Sequence, residues 1–236
     1  MLAFHAASVP GRRKRNEDAY FAGRIGRFTA FAVADGMGGH AAGDRASGYA
    51  IEQFRETVAG SRIDEAAEAI TSRAFAAAND AIYAFNQENR LNAGTTLVTL
   101  LVDEDGACVF GNIGDSRATI FSENRTWQTD DHSLVNQMVK NGQILPEEAW
   151  MHPQRNILVQ ALGLAPRITP DLYRHARAGG TVVLSSDGLH DTLRPGRIRT
   201  IVSAYSPESA VAALIDECLR EGASDNITVI VIRVLS

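Results

Sequence analysis

The stretch Phe28-Thr29-Ala30-Phe31-Ala32-Val33-Ala34-Asp35-Gly36-Met37-Gly38-Gly39-His40 runs a mostly apolar, strand-like segment straight into an aspartate and then into glycines. A carboxylate at the end of a buried strand loses hydration and is costly unless something pairs with it. Glycines beside it let the backbone turn sharply and bring carbonyl oxygens close to a bound ion. A lone Asp-Gly is usually an ordinary Asx turn. The arrangement recurs in Val182-Val183-Leu184-Ser185-Ser186-Asp187-Gly188, and Asp225 in Ser224-Asp225-Asn226 precedes the last strand-like run. Asn16-Glu17-Asp18 adds a further acidic pair. Rigid sheet ends can hold several carboxylates around one point, and hard cations make that crowding tolerable.

Outward from these segments, strands are predicted at Phe4–Ser8, Phe28–Ala34, Thr95–Val102, Ala107–Ile113, Arg117–Phe121, Thr181–Ser185 and Ile227–Val234, from their Val, Ile, Thr and Phe content. Asp103-Glu104-Asp105-Gly106 reads as a hairpin turn and Gly114-Asp115-Ser116 as a second tight connection. Ala46 to Val58 has an apolar helical face. Ser61-Arg62-Ile63-Asp64 resembles a capping box ahead of Ala67, Ile70, Ala74, Ala78 and Ile82. Ser206-Pro207-Glu208 starts a helix that Gly222 stops. Regular βαβ alternation is missing, so the pattern favours an α+β fold of antiparallel sheets with helices packed outside.

The 236 residues, 45% hydrophobic, suffice for a single domain with a real core, expected to span 1–236. The net charge of −5 and the lack of a basic stripe with aromatics argue against nucleic-acid binding and against a nuclease. No stretch reaches the roughly 18 apolar residues of a membrane span, and Met1 to Pro10 does not read as a signal peptide. Cys108 and Cys218 stand apart at apolar-periodic positions and read as buried thiols in a reducing compartment, so a cytoplasmic protein is expected.

The donor set is oxygen-only, without a His pair or Cys cluster, which favours Mg²⁺ or Mn²⁺ over zinc. Two such ions can share a water and lower its pKa toward neutrality, supplying a hydroxide nucleophile. Other hydrolase chemistries lack their residues. Six positions after Cys108 and Cys218 stand Gly114 and Ser224, not the Arg of a cysteine phosphatase. Asp103-Glu104-Asp105 lacks the following Thr of an aspartyl-phosphate motif, and no GxxxxGK[ST] cradle occurs.

Taken together, the segments resemble the PPM family of metal-dependent serine/threonine phosphatases (protein phosphatase type 2C), in its compact bacterial form. The matching runs are Arg13-Lys14-Arg15-Asn16-Glu17-Asp18-Ala19, Val33 through His40, Gly94-Thr95-Thr96, Gly111 through Arg117, Asp131-His132-Ser133, His152-Pro153, Ser185 through Leu189 and Ser224 through Thr228. The ordered set spans nearly the whole chain and is far more specific than any one run.

The resemblance implies a four-layer αββα sandwich of two antiparallel sheets, with a metal cleft at one edge. It implies Asp35 bridging two Mn²⁺ or Mg²⁺ ions, the Gly36 carbonyl binding one, Asp187 and Asp225 completing the other, and Glu17 acting through water. Asp18 would orient the attacking water, a hydroxide bridging the two ions, with no phosphoenzyme. Asp115 is either a ligand of a third, weaker ion with Asp187 or a turn aspartate bonding the backbone. Arg13 is assigned as phosphate clamp, with Arg12 and Arg15 as alternatives, and His40 as general acid although Met37-Gly38-Gly39 separates it from Asp35-Gly36. His132 reads as a structural fastener. The segment 142–162 resembles the family's flap beside the cleft. Implied partners are phosphoproteins made by a serine/threonine kinase, with no nucleic acid and no membrane, and the chain is expected to act as a monomer.

Overall fold

The computed structural model describes residues 2–38, 42–123, 125–176 and 179–234. One five-stranded sheet has the order β1 (Leu2–Val9), β11 (Ile227–Val234), β10 (Thr181–Ser185), β7 (Arg117–Phe121), β8 (Thr126–Gln128). The other has the order β2 (Asp18–Ile25), β3 (Phe28–Met37), β5 (Leu97–Val102), β6 (Cys108–Ile113), β9 (Asp171–His175), with the short β4 (Gly94–Thr95) pairing the end of β3. The strand pairings are antiparallel.

Strand alternation builds the layers. In β3, Phe31 and Val33 join Val98, Leu100, Val182 and Ile230 in the core between the sheets. Its Ala30, Ala32 and Ala34 point the other way, where their small side chains let α1 (Gly43–Ala59) and α2 (Ala67–Asn89) close down on the sheet. In β11, Ile230 and Ile232 face inward while Val229 and Val231 meet α6 (Pro195–Ala204) and α7 (Pro207–Glu221). Helix pair, sheet, sheet and helix pair make the αββα sandwich. Three short helices, α3 (Leu134–Lys140), α4 (Pro146–Ala149) and α5 (Asp187–His190), sit in the connections.

Several boundaries differ from the sequence expectation. β3 runs on through Gly36 to Met37, because β4 pairs with both. The strand expected over Thr95–Val102 breaks at Thr96, whose N–H donates to the Asp35 carbonyl and whose hydroxyl accepts from the Asp35 N–H, both at 2.9 Å. The Ser61 capping box does not start a helix: α2 begins at Ala67, and Ser61 instead donates its hydroxyl back to the Val58 carbonyl at the end of α1. Strands β2, β8 and β9 were not expected, and all three are partly exposed sheet members with little apolar alternation. Among the described residues, no helix is long and apolar enough to cross a membrane.

Candidate metal centre

Both sheets send their acids to one end. Asp18 opens β2 and lies directly across from Asp35 on β3. From the other sheet, Asp187 follows β10 at the first turn of α5, and Asp225 lies two residues before β11. Asp35, Glu17, Asp115, Asp187, Asp225 and Arg13 line one cleft of about 750 Å³.

Two glycines permit this approach by lacking a side chain. A Cβ on Gly36 would lie 2.1 Å from the Gly43 carbonyl oxygen and 2.6 Å from that of Glu17. A Cβ on Gly188 would lie 2.0 Å from the Asn226 carbonyl oxygen. The Asp-Gly pairs seen in the sequence are therefore points of backbone contact, where the strand ends meet α1 and the approach to β11.

The electrostatics are those of crowded, desolvated acids. Asp35 and Asp187 are held well above the ordinary carboxylate range by burial first and by neighbouring acids second, Asp187 acting on Asp35 and Asp115 on Asp187. Burial pushes Asp18 up to about 6, opposed in part by hydrogen bonds from Thr228 and Ser186. Burial and Asp131 push Asp115 up to about 7. One buried oxygen of Asp18 and one of Asp187 accept no hydrogen bond. An unpartnered buried carboxylate oxygen asks for a cation or a proton.

Arg13 gives its Nη2 to Asp225 Oδ2 at 2.7 Å and its Nε to the Ser224 carbonyl at 3.2 Å. Lys14 and Arg15 also line the cleft, whereas the Arg12 guanidinium lies against Gly222. Glu17 places its carboxylate at the start of α1, beside Gly43. His40 lies outside the described residues. Among the described residues, no three His, Cys, Asp or Glu side chains form a ready-made metal cage. Asp35, Asp187 and Asp225 thus share a cleft without closing into a coordination set, and Asp225 accepts from Arg13 on one oxygen and from the Asn226 N–H on the other. The all-oxygen donors, the two unpartnered oxygens and the mutual repulsion nevertheless fit hard divalent ions.

The comparisons with known proteins decide the family. The family model described as Protein phosphatase 2C matches residues 10–224. The chain belongs to the protein phosphatase 2C family. It is thereby a serine/threonine protein phosphatase of the PPM type. It is 34% identical over 228 residues to the protein phosphatase PhpP of Streptococcus pneumoniae, covering 94% of this chain and 92% of that protein. It superposes on the serine/threonine phosphatase Stp1 of Staphylococcus aureus with a TM-score of 0.93 at 33% identity, covering 100% of this chain and 96% of that one. It also matches the catalytic domain of the serine/threonine protein phosphatase PstP in complex with two manganese ions, with a TM-score of 0.87 at 33% identity and coverage of 100% of this chain and 99% of that one.

Within this protein phosphatase 2C, several supporting residues escaped sequence reasoning. Ser186 and Thr228 both donate to Asp18 Oδ2, at 2.8 and 2.6 Å, tying an acid of one sheet to the other. Asn226 receives the Glu17 N–H and donates to the carbonyls of Pro10 and Arg15, which shapes the loop carrying Arg13. His190, buried between Ser185 and the Asp115 backbone, is held well below its ordinary pKa by burial and by Arg117, so it is a neutral strut. The sequence signalled Asn226 and Ser186 only as neighbours of acids and Thr228 only as the end of a run that resembles the family, with no role for any of the three. His132 fastens the Asp115 turn as expected, accepting the Gly114 N–H on Nδ1 at 3.3 Å. Both cysteines are buried, with thiols pushed up to about 11 and about 12 by burial.

Proposed function

We propose that this chain hydrolyses phosphoserine and phosphothreonine in proteins by in-line attack of water on phosphorus, without a phosphoenzyme. The observation that carries the reading is the meeting of Asp18 and Asp35 from one sheet with Asp187 and Asp225 from the other, beside a cleft edged by Arg13. A PstP catalytic domain carries two manganese ions; in this chain Asp35, the Gly36 carbonyl, Asp187 and Asp225 would hold two Mn²⁺ or Mg²⁺ ions, Glu17 would act through water, and Asp115 with Asp187 would seat a third, weaker ion. When bound, such ions lower the pKa of water toward neutrality and offset phosphoryl charge.

The chain's own groups do the rest. Arg13 turns its planar fork from Asp225 toward the phosphoryl oxygens and fixes the phosphorus for attack. Asp18 is clamped on one oxygen by Ser186 and Thr228, so its free oxygen can orient the water and take a proton. His40 is assigned as the acid that protonates the departing seryl or threonyl alkoxide. The buried, high-pKa cysteines offer no thiolate nucleophile. Segment 142–162 is read as a flap beside the cleft, and the enzyme as a cytoplasmic monomer opposing a serine/threonine kinase.

The test is phosphate release from phosphothreonine and phosphoserine peptides with Mn²⁺ present, combined with acid quenching during turnover. Release without acid-stable protein-bound phosphate is expected. No release, or a trapped phosphoprotein, would contradict the reading.

A further inference from the structure

Beside the catalytic cleft lies a second groove of about 450 Å³, walled by residues 158–161, 164–165 and 167–169. Leu158 lines both hollows, so the groove continues the cleft. Among its lining residues, apolar Val159 and Leu164 are open to solvent, each 43% exposed. The one charged lining residue is Arg167. Two copies of a chain of net charge −5 repel each other as wholes, so that local cation is better matched to a short phosphorylated, hence anionic, peptide.

The groove is also held in fixed register with the acids. Thr95 and Leu162 exchange backbone hydrogen bonds at 3.2 and 2.9 Å, while the Thr95 hydroxyl donates to the Asp35 carbonyl at 2.9 Å. Buried Asn79 receives the Gly163 N–H and donates to the Ala165 carbonyl. Buried Asn86 donates to the carbonyls of Ala93 and Gly163. Across the groove, Gln160 donates to the Thr169 carbonyl at 2.9 Å. A surface loop anchored this firmly is preorganised, which lowers the entropic cost of docking a ligand on it.

We propose that this groove is a substrate subsite that takes an aliphatic side chain flanking the phosphorylated residue, seated against Leu158, Val159 and Leu164. The proposal rests on the phosphatase reading and deepens it, since it names a feature of the preferred phosphopeptide. Burying such a side chain against a preformed wall favours matching peptides by about tenfold in kcat/KM.

The experiment moves one Leu through each position around a phosphothreonine in an otherwise Gly/Ser peptide. It measures kcat/KM for each peptide with Mn²⁺ and compares each with p-nitrophenyl phosphate, which is too small to reach the groove. In the wild-type chain, a narrow window of Leu positions should raise the peptide-to-p-nitrophenyl phosphate ratio about tenfold, mainly through KM. Val159→Ser combined with Leu164→Ser should flatten that window. Turnover of every peptide with no positional effect of Leu would overturn the subsite and leave the phosphatase reading standing. Loss of turnover on both peptides and p-nitrophenyl phosphate by the wild-type chain would overturn both. Light scattering that shows a dimer broken by the double substitution would put a second copy on the groove and overturn the substrate role.

Discussion

At the scale of single residues, the centre is a set of acids that the fold holds against their own repulsion. Asp35→Asn or Asp187→Asn removes one member, so turnover should fall by about 10²–10³-fold or more. The metal-free fold should at the same time gain about 1 kcal/mol by losing a buried like charge, as read from urea unfolding. The same repulsion sets a pH dependence. Asp18, Asp35, Asp115 and Asp187 all have folded pKa values above the unfolded value near 3.9. Their favourable contribution is complete below about pH 4 and is lost as pH rises, through about 6 for Asp18 and about 7 for Asp115, at up to about 1.4 kcal/mol per pH unit for each titrating group. Chelator-treated protein should therefore melt at lower temperature at pH 7.5 than at pH 5, and Mn²⁺ should restore more at pH 7.5. A melting temperature indifferent to pH and to Mn²⁺ would refute the crowding. Arg13→Ala should lower kcat/KM about 10–100-fold, with Arg13→Lys recovering part, because a point charge lacks the planar fork. Its effect on stability should stay within about 1 kcal/mol, since the ion pair with Asp225 is largely exposed. The gathering of Asp35, Asp187 and Asp225 at one cleft was legible because each is local: an acid beside glycine or at a strand edge. The clamp on Asp18 was not, since Ser186 and Thr228 lie 168 and 210 residues away from it in the chain.

At the scale of elements, strands buried on both faces declared themselves, whereas of the outer ones only β1 did. β10 and β11 read directly from continuous Val, Ile and Leu. β2 and β9 occupy the two edges of their sheet, carry Asp, Arg and His, and show mixed burial, so no period of two marks them. The misplaced start of α2 has a similar cause: a Ser followed by Asp three residues later suits a helix start, but Ser61 is occupied closing α1. The close contacts at Gly36 and Gly188 give the sharpest element-level expectation. Gly36→Ala drives a methyl into the Gly43 and Glu17 carbonyls, so β3 and α1 must separate. A loss of about 3 kcal/mol or more is expected in denaturant unfolding, and Gly188→Ala should behave alike through Asn226. Full stability in either variant would mean that these carbonyls yield easily.

At the scale of the whole molecule, each sheet is a rigid carrier for half of a site that neither could build alone. β2 and β3 bring Asp18 and Asp35, while the ends of β10 and β11 bring Asp187 and Asp225. Antiparallel sheets with helices outside were legible from the missing βαβ alternation, and the four-layer order followed from the family resemblance. The manner in which the cleft closes was not, because it depends on side-chain bonds between chain ends more than 200 residues apart, such as Arg13 with Asp225. The most direct measurement is calorimetric titration of chelator-treated protein with Mn²⁺, run on the wild type and on Asp35→Asn and Asp187→Asn. The wild type is expected to take up two ions per chain, and each variant to lose at least one of them. No uptake by the wild type, or equal uptake in all three proteins, would contradict the central role of these carboxylates.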